Sequence, residues 1–203
     1  LMAVESGLDL EWPSGTGRRV TLKDAIGDLP RLGRSTGESE MAWKGRAGLS
    51  SFQKKMRKQM NGARLVWDHV TRPVRADDRE AFRLLKPGMR YGELPPRLRR
   101  YRSDIFNDKY NRLAWDDLSR SITAHIAKDG YWYIHPGEER TLTVREAARI
   151  QTFPDHFRFA GTRSHQFRQI GNAVPPVLGE ALGRSLLKSL AGKPRERGSR
   201  AAQ

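Results

Sequence analysis

The sequence predicts a mixed α/β chain, on three observations. Helix-capping residues precede apolar residues at helical spacing in several places, and one alternating run reads as a β-hairpin. The chain's 203 residues suffice for one full domain, or for one small domain plus an extension. Hydrophobic content is only 37%, and Gly, Pro and Arg are plentiful. That composition predicts a modest core, long loops, and some parts that order only on a partner.

The elements follow in chain order. RRVTLKDAIGDLPRLGRSTGE reads as a short strand, a helical turn around Lys23 to Ile26, then a Gly/Pro-rich loop. SSFQKKMRKQM reads as a helix capped by Ser50 or Ser51, with Phe52, Met56 and Met60 on one face. Its cations Lys54, Lys55, Arg57 and Lys58 either rest on phosphates or form a solvated face. RADDREAFRLLKPG predicts a helix capped near Asp77 or Asp78, buried through Phe82 and Leu85 and stopped by Pro87-Gly88.

In ELPPRLRRYRSDIFNDKYNRL, Arg97, Arg99, Arg100 and Arg102 interleave with Tyr101, Phe106 and Tyr110. Without periodicity this is either a loop lying on a nucleic-acid backbone or a surface loop of a basic protein. RSITAHIAKDGYWYIHP reads as a hairpin: Ile122, Ala124 and Ile126 alternate with Thr123 and His125, Asp129-Gly130 turns, and YWYI returns. Core packing explains the Ile face. It does not explain why Thr123, His125 and Lys128 share the other side, with Arg120 close by.

TLTVREAARIQTFPDHF opens with a capping box, Thr143 and Glu146, and is expected to end at Pro154. Its face is Val144, Ala147, Ala148 and Gln151. The last helix is expected from Pro176 to Leu190, with Val177, Leu178, Ala181, Leu182, Leu186 and Leu190 as a buried stripe and Gly192 as its stop. Just before it, Gly171 is expected to permit a tight turn and the small Ala173 a close approach to a ligand. A helix-opening turn with no ligand is the other reading.

Formal net charge is +15, which favours a polyanionic partner such as nucleic acid, since neutralised phosphates release counterions. A ribosomal or simply basic protein would share that charge. The chain has no cysteine, which excludes disulfides, thiolate metal sites and a thiol nucleophile. Its five histidines show no metal-binding spacing. No stretch reads as a membrane span or secretory signal, so the cytoplasm is expected.

RTLTVREAARIQTFPDHFRFAG followed by QFRQIGNAVPPVLGEALGRSL closely resembles the ninth and tenth sequence blocks of DNA (cytosine-5) methyltransferases. The strong match runs from about Arg140 to Leu190. Upstream, VTLKDAIGDLP resembles the segment after the eighth block, and SRSITAHIAKDGYWYIHP the end of the target-recognition region. The resemblance implies the C-terminal part of a Rossmann-like methyltransferase domain that uses S-adenosylmethionine, plus a small, irregular, β-containing target-recognition domain. It divides the chain into a connector (1–50), a target-recognition region (51–139), the two C-terminal blocks (140–192) and a disordered basic tail (193–203).

The same resemblance implies residue roles. Asn172, Ala173 and Val174 would line the cofactor cleft. Thr123 would contact the phosphate near a flipped cytosine, Arg112 and Arg120 would clamp phosphates, and His125 and Lys128 would lie at the groove. Thr143, Arg145, Glu146 and Arg149 would be structural, as a buried ion-pair network. The family's thiolate, its glycine-rich cofactor loop, its base-contacting Glu and the arginines of its eighth block are missing. The chain is therefore expected to be a C-terminal portion, inactive alone, acting on double-stranded DNA with a catalytic portion supplied in cis or as a separate subunit. Leu1 in place of Met favours a fragment, and a bacterial or phage-type setting such as restriction-modification is expected. A non-enzymatic DNA-binding module is the remaining alternative.

Overall fold

The computed structural model describes residues 11–15, 17–45, 47–102, 104–105 and 107–191. The tail 193–203 and Phe106 lie outside them, as does the predicted stop at Gly192. Helix α1 (Leu22–Ile26) is opened by Thr21, whose hydroxyl accepts from Asp24 N while the Asp24 carboxylate accepts from Thr21 N. The strand expected just before it is not formed: residues 17–20 have no regular structure. Helix α2 (Ser51–Arg57) is capped by Ser50, whose hydroxyl also donates to Asp24 O at 2.7 Å, tying α2 to α1. Met56 and Met60 are buried below α2.

The one sheet among the described residues is an antiparallel pair, β1 (Gly37–Ala42) and β2 (Leu65–Val70), with Gly37 opposite Val70 and Ala42 opposite Leu65. β1 starts at the end of the expected Gly/Pro-rich loop and continues through residues 39–42, for which the sequence reading named no element. Its start requires glycine: Gly37 has φ +78°, and a Cβ there would lie 1.9 Å from His69 O.

Helix α3 (Ala76–Leu84) begins a residue or two before the expected cap, with Arg75 at the N-cap. Phe82 and Leu85 are buried as expected. They join Tyr91, Tyr110 and Ile134 in one apolar cluster. Within it Tyr110 stacks between Tyr91 (4.8 Å) and Tyr131 (4.9 Å).

The predicted hairpin at 122–134 is wrong. The chain forms two short 3-10 turns instead, Ala124–Ala127 and Tyr131–Tyr133. Gly130 has φ −91°, not the left-handed backbone a tight hairpin needs. It is glycine because a Cβ would meet Arg72 Nη1 at 2.9 Å and the Thr141 side chain at 3.1 Å. The β-favouring Tyr residues are held by their hydroxyls: Tyr131 donates to Asp78, and Tyr133 to Ser121 O.

Helix α4 (Val144–Ile150) stops before Pro154, through hydrogen bonds from Thr152 N to Arg149 O and from Phe153 N to Ala148 O. Thr152 takes the left-handed position, φ +63°, that glycine usually fills in this motif. α4 is buried on nearly every side, charged residues included. Helix α5 (Arg163–Asn172), capped by Thr162, was not anticipated. It buries Phe167 and Ile170. Gly171 and Asn172 are its last residues, not a turn.

The larger core gathers Leu22, Val66, Ile126, Ala147 and Ile170, which come from segments far apart in sequence. Residues 19–174 form one compact unit. The described residues before Arg19 and those from Pro175 to Ala191, which contain helix α6 (Pro176–Ala191), belong to a second unit. The α6 stripe reads as a buried face by its apolar spacing but is expected to be exposed in this chain on its own, and it is largely open: Leu178 is 47% exposed and Leu190 53%, while Val177, Ala181, Leu182 and Leu186 are half-buried. Among the described residues no helix is long and apolar enough to cross a membrane, and no His/Asp/Glu group could hold a metal ion.

Candidate DNA and cofactor interface

The site is built outward from α4. Thr143 Oγ1 accepts from Glu146 N, and the Glu146 carboxylate returns to Thr143 N at 2.8 Å. His69 donates its Nε2 hydrogen to Pro30 O (2.8 Å), which leaves Nδ1 to accept from the Thr143 hydroxyl (3.1 Å). Burial keeps His69 neutral, pushing its pKa below the usual histidine value.

Three arginines anchor the buried charge. Arg140 grips Glu146 with both terminal nitrogens (2.8 and 2.7 Å) and also meets Glu138. Arg149 bridges Asp28 (3.0 Å) and Asp155 and donates to Ala25 O, fastening α1 to α4. Burial weakens the charge of Arg149, but its two carboxylates outweigh that and raise its pKa. Arg145 donates to Trp67 O and Phe157 O, with Asp68 at 3.4 Å. Burial is less well offset there, and the pKa falls to about 10. Thr143, Arg145, Glu146 and Arg149 are thus all members of buried networks.

Gln151, at the C-terminal end of α4, is the joint between segments. Its Nε2 lies 3.0 Å from Ile170 O, 3.4 Å from Ala173 O and 3.5 Å from Ile122 O. On the other side of Ile122 stands Thr123. The peptide joining Thr123 to Ala124 packs directly on Gly171, where a Cβ would lie 2.4 Å from Thr123 O. Gly171 is therefore small so that α5 can lie against this peptide, which corrects the expectation of a tight backbone turn. Ala173 leaves α5 extended and is half-buried against the core, and Val174 after it is 62% exposed.

From this joint Thr123, His125 and Lys128 project to solvent on one short segment. Trp132 brings one of them together with Arg120: the His125 ring lies 5.3 Å from its ring centroid and Arg120 5.2 Å. Arg112 is elsewhere. Its guanidinium points inward and donates to the carbonyls of Phe82, His135 and Glu138. Arg57 likewise leaves the cationic face of α2, buried against Asp155 and the Trp43 ring. In the Arg-rich loop, Arg97 pairs with Glu80, Arg100 with Asp77 and Asp78, and Arg102 with Asp104, while Arg99 donates to Leu94 O. Most of that loop's cations are engaged within the fold. A separate cavity of about 800 Å³, lined in part by Lys23, Trp115 and His135, includes none of the residues proposed for DNA or cofactor.

A family model described as C-5 cytosine-specific DNA methylase matches residues 17–188. The chain belongs to that family. It is 34% identical to Type II methyltransferase M.Bpa9945I of Bacillus paralicheniformis over 92% of this chain and 46% of that protein. It is equally 34% identical to Type II methyltransferase M.XorII of Xanthomonas oryzae, over 96% of this chain and 47% of that one. A crystal structure of an E. coli prophage-encoded protein, described as a DNA modification methyltransferase, superposes with a TM-score of 0.62 at 27% identity, covering 87% of this chain and 49% of that one. The chain thus spans about half the length of these bacterial relatives, and, with no cysteine, this methylase-family chain carries no catalytic thiol nucleophile.

Proposed function

We propose that this chain is the target-recognition and C-terminal portion of a DNA (cytosine-5) methyltransferase, serving a restriction-modification system. Its substrate is a cytosine flipped out of duplex DNA, because carbon 5 is inaccessible within the stack. The observation that carries this reading is the contact between Gly171 and the Thr123–Ala124 peptide. It sets the exposed Thr123 segment beside the Asn172–Val174 segment, so a DNA strand and a cofactor would meet across one rigid joint.

Thr123 offers a neutral hydroxyl to a backbone phosphate, and Lys128 and Arg120 add charge. Asn172 supplies an exposed amide, and Val174 an exposed apolar side chain, on a backbone fixed by Gln151. Such residues fit one wall of an S-adenosylmethionine cleft; the other walls belong to the catalytic portion. When bound, that cofactor supplies the methyl group. A thiolate from the catalytic portion is needed as well, to add at carbon 6 and activate carbon 5, since hydroxyl groups are too weakly nucleophilic at neutral pH.

The first test is duplex binding. The chain should bind double-stranded DNA with an affinity that falls steeply with salt, by a slope of about −0.9 per phosphate contacted. Absence of binding at low salt would remove the recognition role.

A further inference from the structure

Beside β2 lies a cleft of about 140 Å³ that the Thr123 interface does not use. Arg34, Arg72, Arg79 and Arg140 line it, and no carboxylate does. The turn at Gly33–Thr36 forms one side and Thr71–Val74 the other, held together by the hydrogen bond from Thr71 N to Thr36 O. Ser35 and Thr36 add exposed hydroxyls at the rim.

The four cations are not equivalent. Arg140 is neutralised by Glu138 and Glu146. Arg34 and Arg79 have no ion pair among the described residues. For Arg79 this follows from how α3 is satisfied. Its acidic neighbours Asp77, Asp78 and Glu80 are taken by Arg100 and Arg97 on the facing segment, leaving Arg79 with no counter-charge. Arg72 spends Nη2 on the carbonyls of Ile126 and Ala127, while its Nη1 is buried with no acceptor. Burial and the neighbouring Arg163 bring its pKa down to about 10. Arg34, Arg72 and Arg79 thus line one cleft whose other lining residues supply hydroxyls but no carboxylate.

We propose that this cleft binds a phosphate group of the DNA backbone, as a second anchor distinct from the phosphate met by Thr123. The inference rests on the DNA-binding reading above. Arg72 links the two places physically, since the side chain that lines the cleft also holds the carbonyl end of the turn that begins at Thr123. Arg34 is exposed at the rim, which suits a phosphate carried on a long polymer better than an enclosed small ion.

The test measures duplex affinity of the full chain across a salt series, by fluorescence anisotropy. Wild type is compared with the double variant Arg34→Gln/Arg79→Gln, the double variant Arg34→Lys/Arg79→Lys, and a charge control altered at the ion-paired Arg97 and Arg102. The glutamine pair should bind about tenfold more weakly near 0.1 M salt and lose about 0.9 from the log–log slope. The lysine pair and the charge control should keep the wild-type slope. Matching circular dichroism spectra establish that the variants fold. Wild-type affinity and slope in the glutamine pair overturn the cleft while leaving the DNA reading intact. A wild-type chain that binds no DNA overturns that reading itself. If inorganic phosphate binds wild type but not the glutamine pair, while duplex affinity is unchanged, the cleft takes a free phosphate and the backbone assignment is wrong.

Discussion

Gly171 and Thr123 are in direct backbone contact: an ideal Cβ on Gly171 would sit 2.4 Å from Thr123 O and 2.5 Å from Ala124 N. Two segments separated by almost fifty residues therefore cannot move independently. Adding one methyl group must push α5 away from the peptide, and overpacking of this kind costs about 1–3 kcal/mol. Gly171→Ala is expected to lower the unfolding free energy by an amount in that range, read as a lower urea midpoint, and to weaken DNA binding as well. A variant with unchanged stability and DNA affinity would show that the contact is not rigid.

The neutral and charged members of the Thr123 segment should be separable by salt. Thr123→Val removes a hydroxyl while keeping shape, so affinity falls but the salt slope stays, because no counterion is released by a neutral donor. Lys128→Gln should reduce the slope by about 0.9 if its ammonium meets a phosphate. Anisotropy titrations of both variants check this. An unchanged slope in Lys128→Gln would show that its ammonium meets no phosphate.

The buried arginines predict large and unequal stability effects. Arg149→Met leaves Asp28 buried without its ion-pair partner and Asp155 with Arg57 alone, and an orphaned buried charge costs about 3–5 kcal/mol. Arg97→Ala breaks a solvent-exposed pair with Glu80 and should leave the unfolding midpoint where it was. Chemical denaturation of the two variants makes the comparison. Equal effects would mean that the α1–α4 network is not what holds the core.

Acid should destabilise the fold through its buried histidines. Burial lowers the pKa of His135 to about 4, and lowers that of His69 as well. In the unfolded chain both take up protons near pH 6.5. Between about pH 4 and 6.5 the unfolded state thus binds more protons, so stability rises with pH across that window and is lost as pH falls through it. His135 alone accounts for about 3 kcal/mol, at about 1.4 kcal/mol per pKa unit. Urea midpoints across this range should climb, and His135→Gln should flatten the climb. A flat wild-type profile would contradict it.

Local signals were readable where side chain and backbone satisfy each other within a few residues. Ser50 and Thr143 announced their helices because a cap and its partner lie three positions apart. The resemblance implied structural roles for Arg145, Glu146 and Arg149, whereas no local signal marks their partners, since Asp28 and Asp68 lie far from α4 in sequence. β1 was not readable. Its residues Gly37 to Ala42 lack apolar alternation, and the strand exists because Gly37 fits against His69 and Leu65–Val70 supplies the pairing edge. The run from Ile122 to Ile134 alternates like a hairpin, but long-range contacts override that pattern. Arg72 holds the carbonyls of Ile126 and Ala127, and Asp78 holds Tyr131. α5 was missed because only Phe167 and Ile170 are buried on it, too few for a stripe. Of the candidate site, the exposed Thr123, His125 and Lys128 share one segment, whereas nothing local marks Arg112 as turning inward to three carbonyls.

The most direct measurement is transfer of labelled methyl groups from S-adenosylmethionine to duplex DNA, by this chain alone and by this chain combined with a cysteine-bearing catalytic portion. The account predicts no transfer by the chain alone and methylation at cytosine carbon 5 in the combination, lost again when the supplied cysteine is changed to serine. Methylation by the cysteine-free chain alone, or none by a combination that binds both cofactor and DNA, would contradict it.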